Sequence, residues 1–361
     1  MKILAITGAS GGHIFPALGF LETLKNKYRN LDVLLVLPRK GVTNQIRNID
    51  CKVNYVSFSS INLRFDFRNL VSGLRFFKGS WESMFILAQF RPDIVVGFGS
   101  LVCVPMILFA WLFRIKTLIH EQNVIPGRAN RFLAKFTDKI AVSFAETFDY
   151  LQDYKRKIVL AGNPIRGGLR PVDKNKALDF FGLKSNKFTI LVMGGSLASH
   201  RINLGFLKAV SAIAGKPGLQ VIHLAGAKDV DFLKENYKDL NIDSRLFNFL
   251  ESMQYAYSAC DLVVSRAGAT SIAEIMFFGL PAIIIPYPFA YRHQMANAKV
   301  LESIGSGIII QDKDLDSDIL KKNIENLINN NDRIEAMRSC YGNIPRMNTN
   351  DLLAEAALSL I

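Results

Sequence analysis

Short apolar runs alternate along this chain with stretches whose apolar residues return every three or four positions. That alternation predicts parallel strands covered by helices, an α/β fold. In the first half the strand candidates are Lys2–Thr7, Asp32–Leu37, Lys52–Val56, Asp93–Phe98, Lys116–His120, Lys139–Val142 and Lys157–Leu160. A polar, glycine-rich break follows at Gly167–Lys176, and it carries Pro171. The pattern then restarts with Thr189–Met193, Gln220–Leu224, Asp261–Ser265, Ala282–Ile285 and Gly307–Gln311. The break predicts two domains, residues 1–165 and 166–340, which suits 361 residues at roughly 150 per domain. The remaining stretch, 341–361, presents Leu352, Leu353, Ala356, Ala357 and Leu360 on one helical face and is expected to pack back across the lobes.

Both halves open alike. An apolar strand ends in small residues at Thr7-Gly8-Ala9-Ser10-Gly11-Gly12 and again at Met193-Gly194-Gly195-Ser196. A strand, a glycine turn and a helix N-terminus together make an anion site, because unpaired N–H groups and the helix dipole face the ligand. Two such sheets facing one another would place a cleft at their carboxyl ends. Neither loop fits the G-x-G-x-x-G dinucleotide fingerprint, and no G-x-x-x-x-G-K-[ST] string occurs, which disfavours the simplest dehydrogenase and P-loop readings.

Composition narrows this further. Half of the residues are apolar and 21% are charged, which rules out long disorder. The formal charge of +13 suggests an anionic partner: nucleic acid, an acidic membrane or a phosphorylated ligand. The basic residues are dispersed and no nucleic-acid-binding motif is evident, so no nucleic acid partner is expected. Cys51, Cys103, Cys260 and Cys340 lack Cys-x-x-Cys spacing and read as reduced thiols. No secretory signal is visible, and the longest apolar run, Leu101–Phe113, is short of the ~20 residues that span a bilayer. The five histidines are scattered, and no metal site is expected. The acidic run Asp312–Asp318 reads as solvated acids at a helix start.

The string Gly8-Ala9-Ser10-Gly11-Gly12-His13-Ile14-Phe15-Pro16-Ala17 resembles the opening loop of the bacterial N-acetylglucosaminyltransferases that make lipid II from lipid I. The resemblance continues at His120-Glu121-Gln122-Asn123, Gly162-Asn163-Pro164-Ile165-Arg166, Gly194-Gly195-Ser196, Ser265–Glu274, Gly279-Leu280-Pro281 and Arg292–Asn297, in the family's order. It implies two Rossmann-like lobes facing across a cleft, the B-type glycosyltransferase fold. The N-terminal lobe would bind the acceptor and the membrane, and the C-terminal lobe UDP-N-acetylglucosamine. It also implies an inverting transfer to the 4-hydroxyl of the muramoyl residue of lipid I, with no cofactor required. Where the family usually has a hydroxyl in its second glycine loop, Gly99-Ser100-Leu101-Val102-Cys103-Val104-Pro105 has Cys103, and His293-Gln294 replaces a pair of glutamines.

Roles follow residue by residue. A neutral imidazole can accept a proton at neutral pH, so His13 is the candidate general base, or it orients the acceptor hydroxyl. A helix-capping or diphosphate-binding histidine is the plainer alternative. The resemblance places Ser10, Gly11, Gly12, His13, Asn123, Arg166, Ser196, Leu250, Ala269, Thr270, Glu274 and Gln294 against the donor. In the same way it places Gly12, His13, Gly99, Ser100 and Asn123 against the acceptor. Glu274 would accept the ribose hydroxyls, the Leu250 backbone would read the uracil, and Arg266 would lie near the diphosphate. Gln294 and Asn297 share a helix face. His120 and Glu121 fit a structural role as well as a functional one.

The stretch from Leu63 to Trp81 mixes aromatic and basic residues, and Phe65, Phe67, Arg68, Arg75, Phe76, Phe77, Lys78 and Trp81 suit an anionic membrane surface. The alternative is a helix whose aromatics pack on the sheet. The resemblance implies a peripheral enzyme on the cytoplasmic face of the bacterial membrane, with other cell-wall synthesis proteins as partners. Two other readings keep the fold but change the reaction, namely another UDP-sugar-dependent glycolipid glycosyltransferase or a UDP-N-acetylglucosamine epimerase.

Overall fold

A computed structural model describes residues 1–28, 30–39, 51–58, 67–195, 198–213, 218–240, 242–289, 292–315, 317–343 and 348–361, without the side chains of 67–72, 74, 317 and 343. The chain divides into two compact units, Met1–Gly167 with Met347–Ile361, and Gly168–Arg346.

The first unit runs β1 (Lys2–Ile6), α1 (Gly11–Lys27), β2 (Asp32–Pro38), β3 (Lys52–Val56), α2 (Phe67–Phe90), β4 (Ile94–Gly97) and α3 (Cys103–Leu112). It continues with β5 (Lys116–Glu121), α4 (Arg128–Leu133), β6 (Lys139–Val142) and β7 (Ile158–Leu160). The seven strands pair in parallel in the order β3-β2-β1-β4-β5-β6-β7. Both faces of this sheet are covered, which is why its central strands are apolar at nearly every position. Ile3 and Ala5 join Ile14, Ala17, Phe20 and Leu24 of α1 in one core. Leu4 and Ile6, pointing the other way, join Met106 and Ile107 of α3 in another.

The second unit runs α5 (Lys174–Phe181), β8 (Phe188–Met193), α6 (His200–Ser211), β9 (Leu219–Leu224), α7 (Val230–Lys238), β10 (Asp243–Phe247) and α8 (Met253–Ala259). It continues with β11 (Leu262–Ser265), α9 (Ala269–Phe278), β12 (Ala282–Ile284), α10 (His293–Ser303), β13 (Gly307–Ile309), α11 (Ser317–Ile328) and α12 (Asn331–Ser339). Its six strands are also parallel, in the order β10-β9-β8-β11-β12-β13. Ile190 and Val192 of β8 and Leu262 and Val264 of β11 pack on Ile202, Phe206 and Val210 of α6.

The strand order reverses between β1 and β4 in the first unit and between β8 and β11 in the second. Ligands of open parallel sheets bind where the order reverses, at the carboxyl ends. The loops leaving those four strands hold Gly8–Ser10, Phe98–Val102, Gly194 and Gly195 with Ala198 and Ser199, and Arg266–Gly268. Arg166, placed in the second domain by sequence, belongs to the first unit, and α13 (Thr349–Leu358) packs there on α1 and β6. Residues 341–343, grouped by sequence with that last helix, stay with the second unit.

Candidate active site

In the first unit, His13 is the third residue of α1, whose N-cap is Ser10. The backbone nitrogens of His13 and Ile14 both donate to the Ser10 carbonyl at 3.0 Å, and the Ser10 hydroxyl makes no cap bond. His13 is half-buried. Desolvation of its ring is the main influence on titration and lowers its pKa from the ordinary 6.5, with the Glu121 charge opposing. Gly99 lies against the ring with φ of +82°, and a Cβ there would come within 3.1 Å of His13 Cε1. Ser100 follows, also left-handed at φ of 72°.

The segment after β4 and the end of β5 enclose the ring from below. Cys103 is buried, its thiol donates to the Gly99 carbonyl at 2.7 Å, and burial pushes its pKa well above the ordinary thiol value. It therefore acts as a loop fastener rather than a nucleophile. His120 is fully buried, with Nε2 2.9 Å from the Gly162 carbonyl and a pKa lowered by desolvation to about 4. Glu121 is also buried, and it accepts from the backbone nitrogens of Asn123 and Gly127 and from the amides of Asn123 and Asn130. Four donors on one carboxylate make it the organiser of the loop after β5. Asn123 is thereby fixed, half-exposed, at the carboxyl edge. Arg166 stacks its guanidinium on Phe15 of α1, 4.2 Å from the ring centroid.

In the second unit, Ser196 lies outside the described residues. Gly194 and Gly195 lead to α6, which is capped by Ser199. Gly268 is the N-cap of α9, with no side-chain cap bond, so the positive end of the helix dipole sits at Ala269 and Thr270. Glu274, one turn further, is 5% exposed, and its Oε2 accepts from the Tyr257 hydroxyl at 2.7 Å. Tyr257 is itself buried and stacked on Phe278, so the carboxylate is held in place. Leu250 is buried between β10 and α8.

Gln294 and Asn297, on one face of α10, clasp the backbone of a single residue, Ala267. Gln294 Oε1 accepts from the Ala267 nitrogen at 3.2 Å and from the Tyr287 nitrogen at 2.8 Å, and Asn297 Nδ2 donates to the Ala267 carbonyl at 3.1 Å. The Gln294 carbonyl oxygen thus shapes the loop before α9. Arg266 is equally committed: it donates to Asp312 Oδ1 at 2.5 Å, to the Ile285 carbonyl at 3.1 Å and to Ser199 Oγ at 2.9 Å. Asp312 therefore corrects the sequence reading. It is buried, and its second oxygen pairs with Arg201 at 3.3 Å, so it is no solvated acid. Nothing in the local sequence signals this, because its partners lie on α6 and after β11. Among the described residues, no three His, Cys, Asp or Glu side chains converge.

On α2, Phe77, Trp81 and Phe85 are 74%, 69% and 62% exposed and recur every fourth residue, a solvent-facing aromatic stripe. Arg75 and Lys78 are exposed beside them, and Phe76 is half-buried against Phe58 at 6.4 Å. Phe65, and the side chains of Phe67 and Arg68, lie outside the described residues. The helix packs on α3, whose far end exposes Trp111, Leu112 and Phe113. Trp111 and Phe132 both lean on Phe136, at 5.1 and 5.4 Å. Sequence reasoning measured Leu101–Phe113 only against a membrane span. The signal it passed over was that the run continues beyond the buried turns of a ten-residue helix. No helix among the described residues is long and apolar enough to cross a membrane.

Comparison with known proteins agrees with this geometry. The glycosyltransferase family 28 N-terminal domain matches residues 3–142 and the family 28 C-terminal domain residues 189–350. The fold is thus that of a glycosyltransferase. A UDP-N-acetylglucosamine–N-acetylmuramyl-(pentapeptide) pyrophosphoryl-undecaprenol N-acetylglucosamine transferase from Thermodesulfovibrio yellowstonii is 34% identical, over 100% of this chain and 99% of its own. The like-named protein of Halothermothrix orenii is 36% identical over 93% of each. The chain belongs to this family of N-acetylglucosamine transferases. Among solved structures, MurG of Acinetobacter baumannii superposes with a TM-score of 0.76 at 25% identity, over 99% of both chains. The UDP-GlcNAc 2-epimerase of Neisseria meningitidis superposes at 0.68 with 15% identity over 99% of this chain and 100% of its own, a likeness of fold alone.

The Arg266–Asp312 pair predicts a large stability effect, since each side chain is at most 10% exposed. Asp312→Ala strands a buried cation and is expected to destabilise the second unit by about 3 kcal/mol. Equilibrium urea unfolding checks this. Arg266→Met combined with Asp312→Leu should recover much of the loss.

Proposed function

We propose that the chain transfers N-acetylglucosamine from UDP-N-acetylglucosamine to the 4-hydroxyl of the muramoyl residue of lipid I, with inversion, giving lipid II. The observation that carries this reading is the full-length match to transferases of that name, with the family's motifs falling on the carboxyl-edge loops of both sheets. The UDP-GlcNAc 2-epimerase of Neisseria meningitidis shares the fold at 15% identity, against 34% for the transferase of Thermodesulfovibrio yellowstonii.

The chemistry divides between the units. Acceptor binding falls to Gly12, His13, Gly99, Ser100 and Asn123 of the first unit. The acceptor hydroxyl gives its proton to His13 as its oxygen bonds to the anomeric carbon, and the bond from that carbon to the UDP oxygen breaks with its electron pair leaving on UDP. A single displacement from the opposite face inverts the centre. In the second unit, the backbone N–H groups at the start of α9 receive the diphosphate charge, an interaction preorganised before the reaction begins. Glu274 accepts from the ribose hydroxyls. Donor contacts at Ser10, Gly11, Arg166, Ser196, Leu250, Thr270 and Gln294 complete the reading. Metal assistance is no part of it.

The stripe of Phe77, Trp81 and Phe85, together with Trp111 and Leu112, is the surface we assign to the cytoplasmic face of the membrane. Aromatic rings seat at the headgroup level, and Arg75 and Lys78 meet anionic lipid. Each basic group adds only about 1 kcal/mol there, so binding is reversible.

Transfer of labelled sugar from UDP-N-acetylglucosamine to a synthetic lipid I analogue tests the reaction. His13→Ala should lower kcat by roughly 10²–10⁴-fold. Glu274→Ala should raise KM for the donor about tenfold or more, the loss of charged hydrogen bonds. In the wild type, kcat/KM should fall on acidification with a midpoint below 6.5, because a protonated His13 accepts nothing and burial lowers its pKa. Near-wild-type turnover by His13→Ala would remove the base role. Separately, the chain should float with anionic vesicles and be released by salt, and Phe77→Ser with Trp81→Ser should abolish flotation. Binding indifferent to both would refute the membrane assignment.

A further inference from the structure

Gln122 lies at the end of β5, 2% exposed, between the two histidines of the first unit. The surroundings of its amide can be met in only one orientation. Nε2 faces three acceptors: the Phe98 carbonyl at 3.2 Å, the His120 carbonyl at 3.3 Å and His120 Nδ1 at 3.1 Å. Turning the amide over would set its oxygen against two carbonyl oxygens. Oε1 therefore faces His13, 3.2 Å from Nδ1.

An amide oxygen only accepts, so His13 Nδ1 must carry hydrogen. A neutral imidazole has one N–H, which leaves Nε2 with a bare lone pair. The same logic runs the other way. His120 Nδ1 accepts from the amide, so the His120 hydrogen sits on Nε2 and donates to the Gly162 carbonyl at 2.9 Å. His120 is fully buried and its ring lies 5.6 Å from that of Phe98, so the far end of the chain of bonds is anchored in the core. Burial that favours the neutral form of both histidines is consistent with this wiring.

We infer that Gln122 is a positioning residue that holds His13 in the tautomer with hydrogen on Nδ1 and the lone pair on Nε2, and that His120 fixes the Gln122 amide in turn. The tautomer follows from the hydrogen bonds alone. Its effect on turnover rests on the reading of His13 as the proton acceptor. In that reading Gln122 leaves Nε2 as the only nitrogen able to take the acceptor's proton, and its oxygen stays bonded to the Nδ1 hydrogen of the imidazolium that forms.

The test uses the full chain labelled with ¹⁵N-histidine, with long-range ¹H–¹⁵N spectra at neutral pH beside steady-state kinetics. Wild-type His13 should show a protonated Nδ1 and an unprotonated Nε2. In Gln122→Leu the two His13 nitrogens should move toward the average of both tautomers. Its kcat should fall by about 10²-fold with donor KM changed less than about twofold, the pattern of a lost transition-state contribution. Gln122→Glu keeps an acceptor for Nδ1, so a folded variant should retain the Nδ1 hydrogen. Hydrogen on Nε2 of His13 in the wild type would overturn the proposal, even if neither variant folds. So would an unaltered His13 spectrum in a folded Gln122→Leu. A changed tautomer with unchanged turnover would uphold the role of Gln122 and remove His13 as the base.

Discussion

A parallel strand can be followed by another only if the chain climbs back along the outside of the sheet, and this constraint governs the whole protein. Every crossover helix starts near the edge where its strand has ended. That edge accumulates loops with unpaired N–H groups and the positive ends of helix dipoles. In the first unit it gathers Ser10–His13, Gly99–Ser100 and Gln122–Asn123, from β1, β4 and β5. In the second it gathers Gly194, Gly195, Ser199 and Arg266–Thr270, from β8 and β11. Chemistry that must hold a pyrophosphate needs such an edge.

Loops at that edge carry polar side chains into buried positions, and several of these are held by networks of partners. Glu121 takes four donors, Arg266 spreads over Asp312, Ser199 and a carbonyl, and Gln294 with Asn297 satisfies the backbone N–H and C=O of Ala267. An unpaired buried group costs about 1–3 kcal/mol, and more if charged, so these networks allow one loop shape each. Arg266, Asp312, Glu121 and Asn297 thus shape the loops, while Tyr257 holds the Glu274 carboxylate and Gln122 faces the His13 ring.

Much of this was legible in the chain itself. Continuous apolar runs exposed the central strands, and glycine-rich strand ends exposed the loops, because both reflect local demands on burial and backbone freedom. The strand β10 escaped notice because Asp243-Ser244-Arg245-Leu246-Phe247 is an edge strand with every residue half-buried, and it carries no apolar signature. Asp312 escaped because an acid's partners across a fold leave no trace in neighbouring positions. The tip of α3 escaped because an apolar run measured only for spanning length conceals which of its residues end up outside. Cys103 stands where the family usually has a hydroxyl, and its buried thiol donates to the Gly99 carbonyl.

The central claim is that the nucleotide is held by backbone groups and a carboxylate at the carboxyl edge of the second sheet. Amide hydrogen exchange of the full chain, followed by mass spectrometry with and without UDP, tests it directly. The account predicts that protection on adding UDP concentrates in the segment Arg266–Glu274 and around Leu250. Protection confined to other segments, with Arg266–Glu274 exchanging as in the free protein, would contradict it.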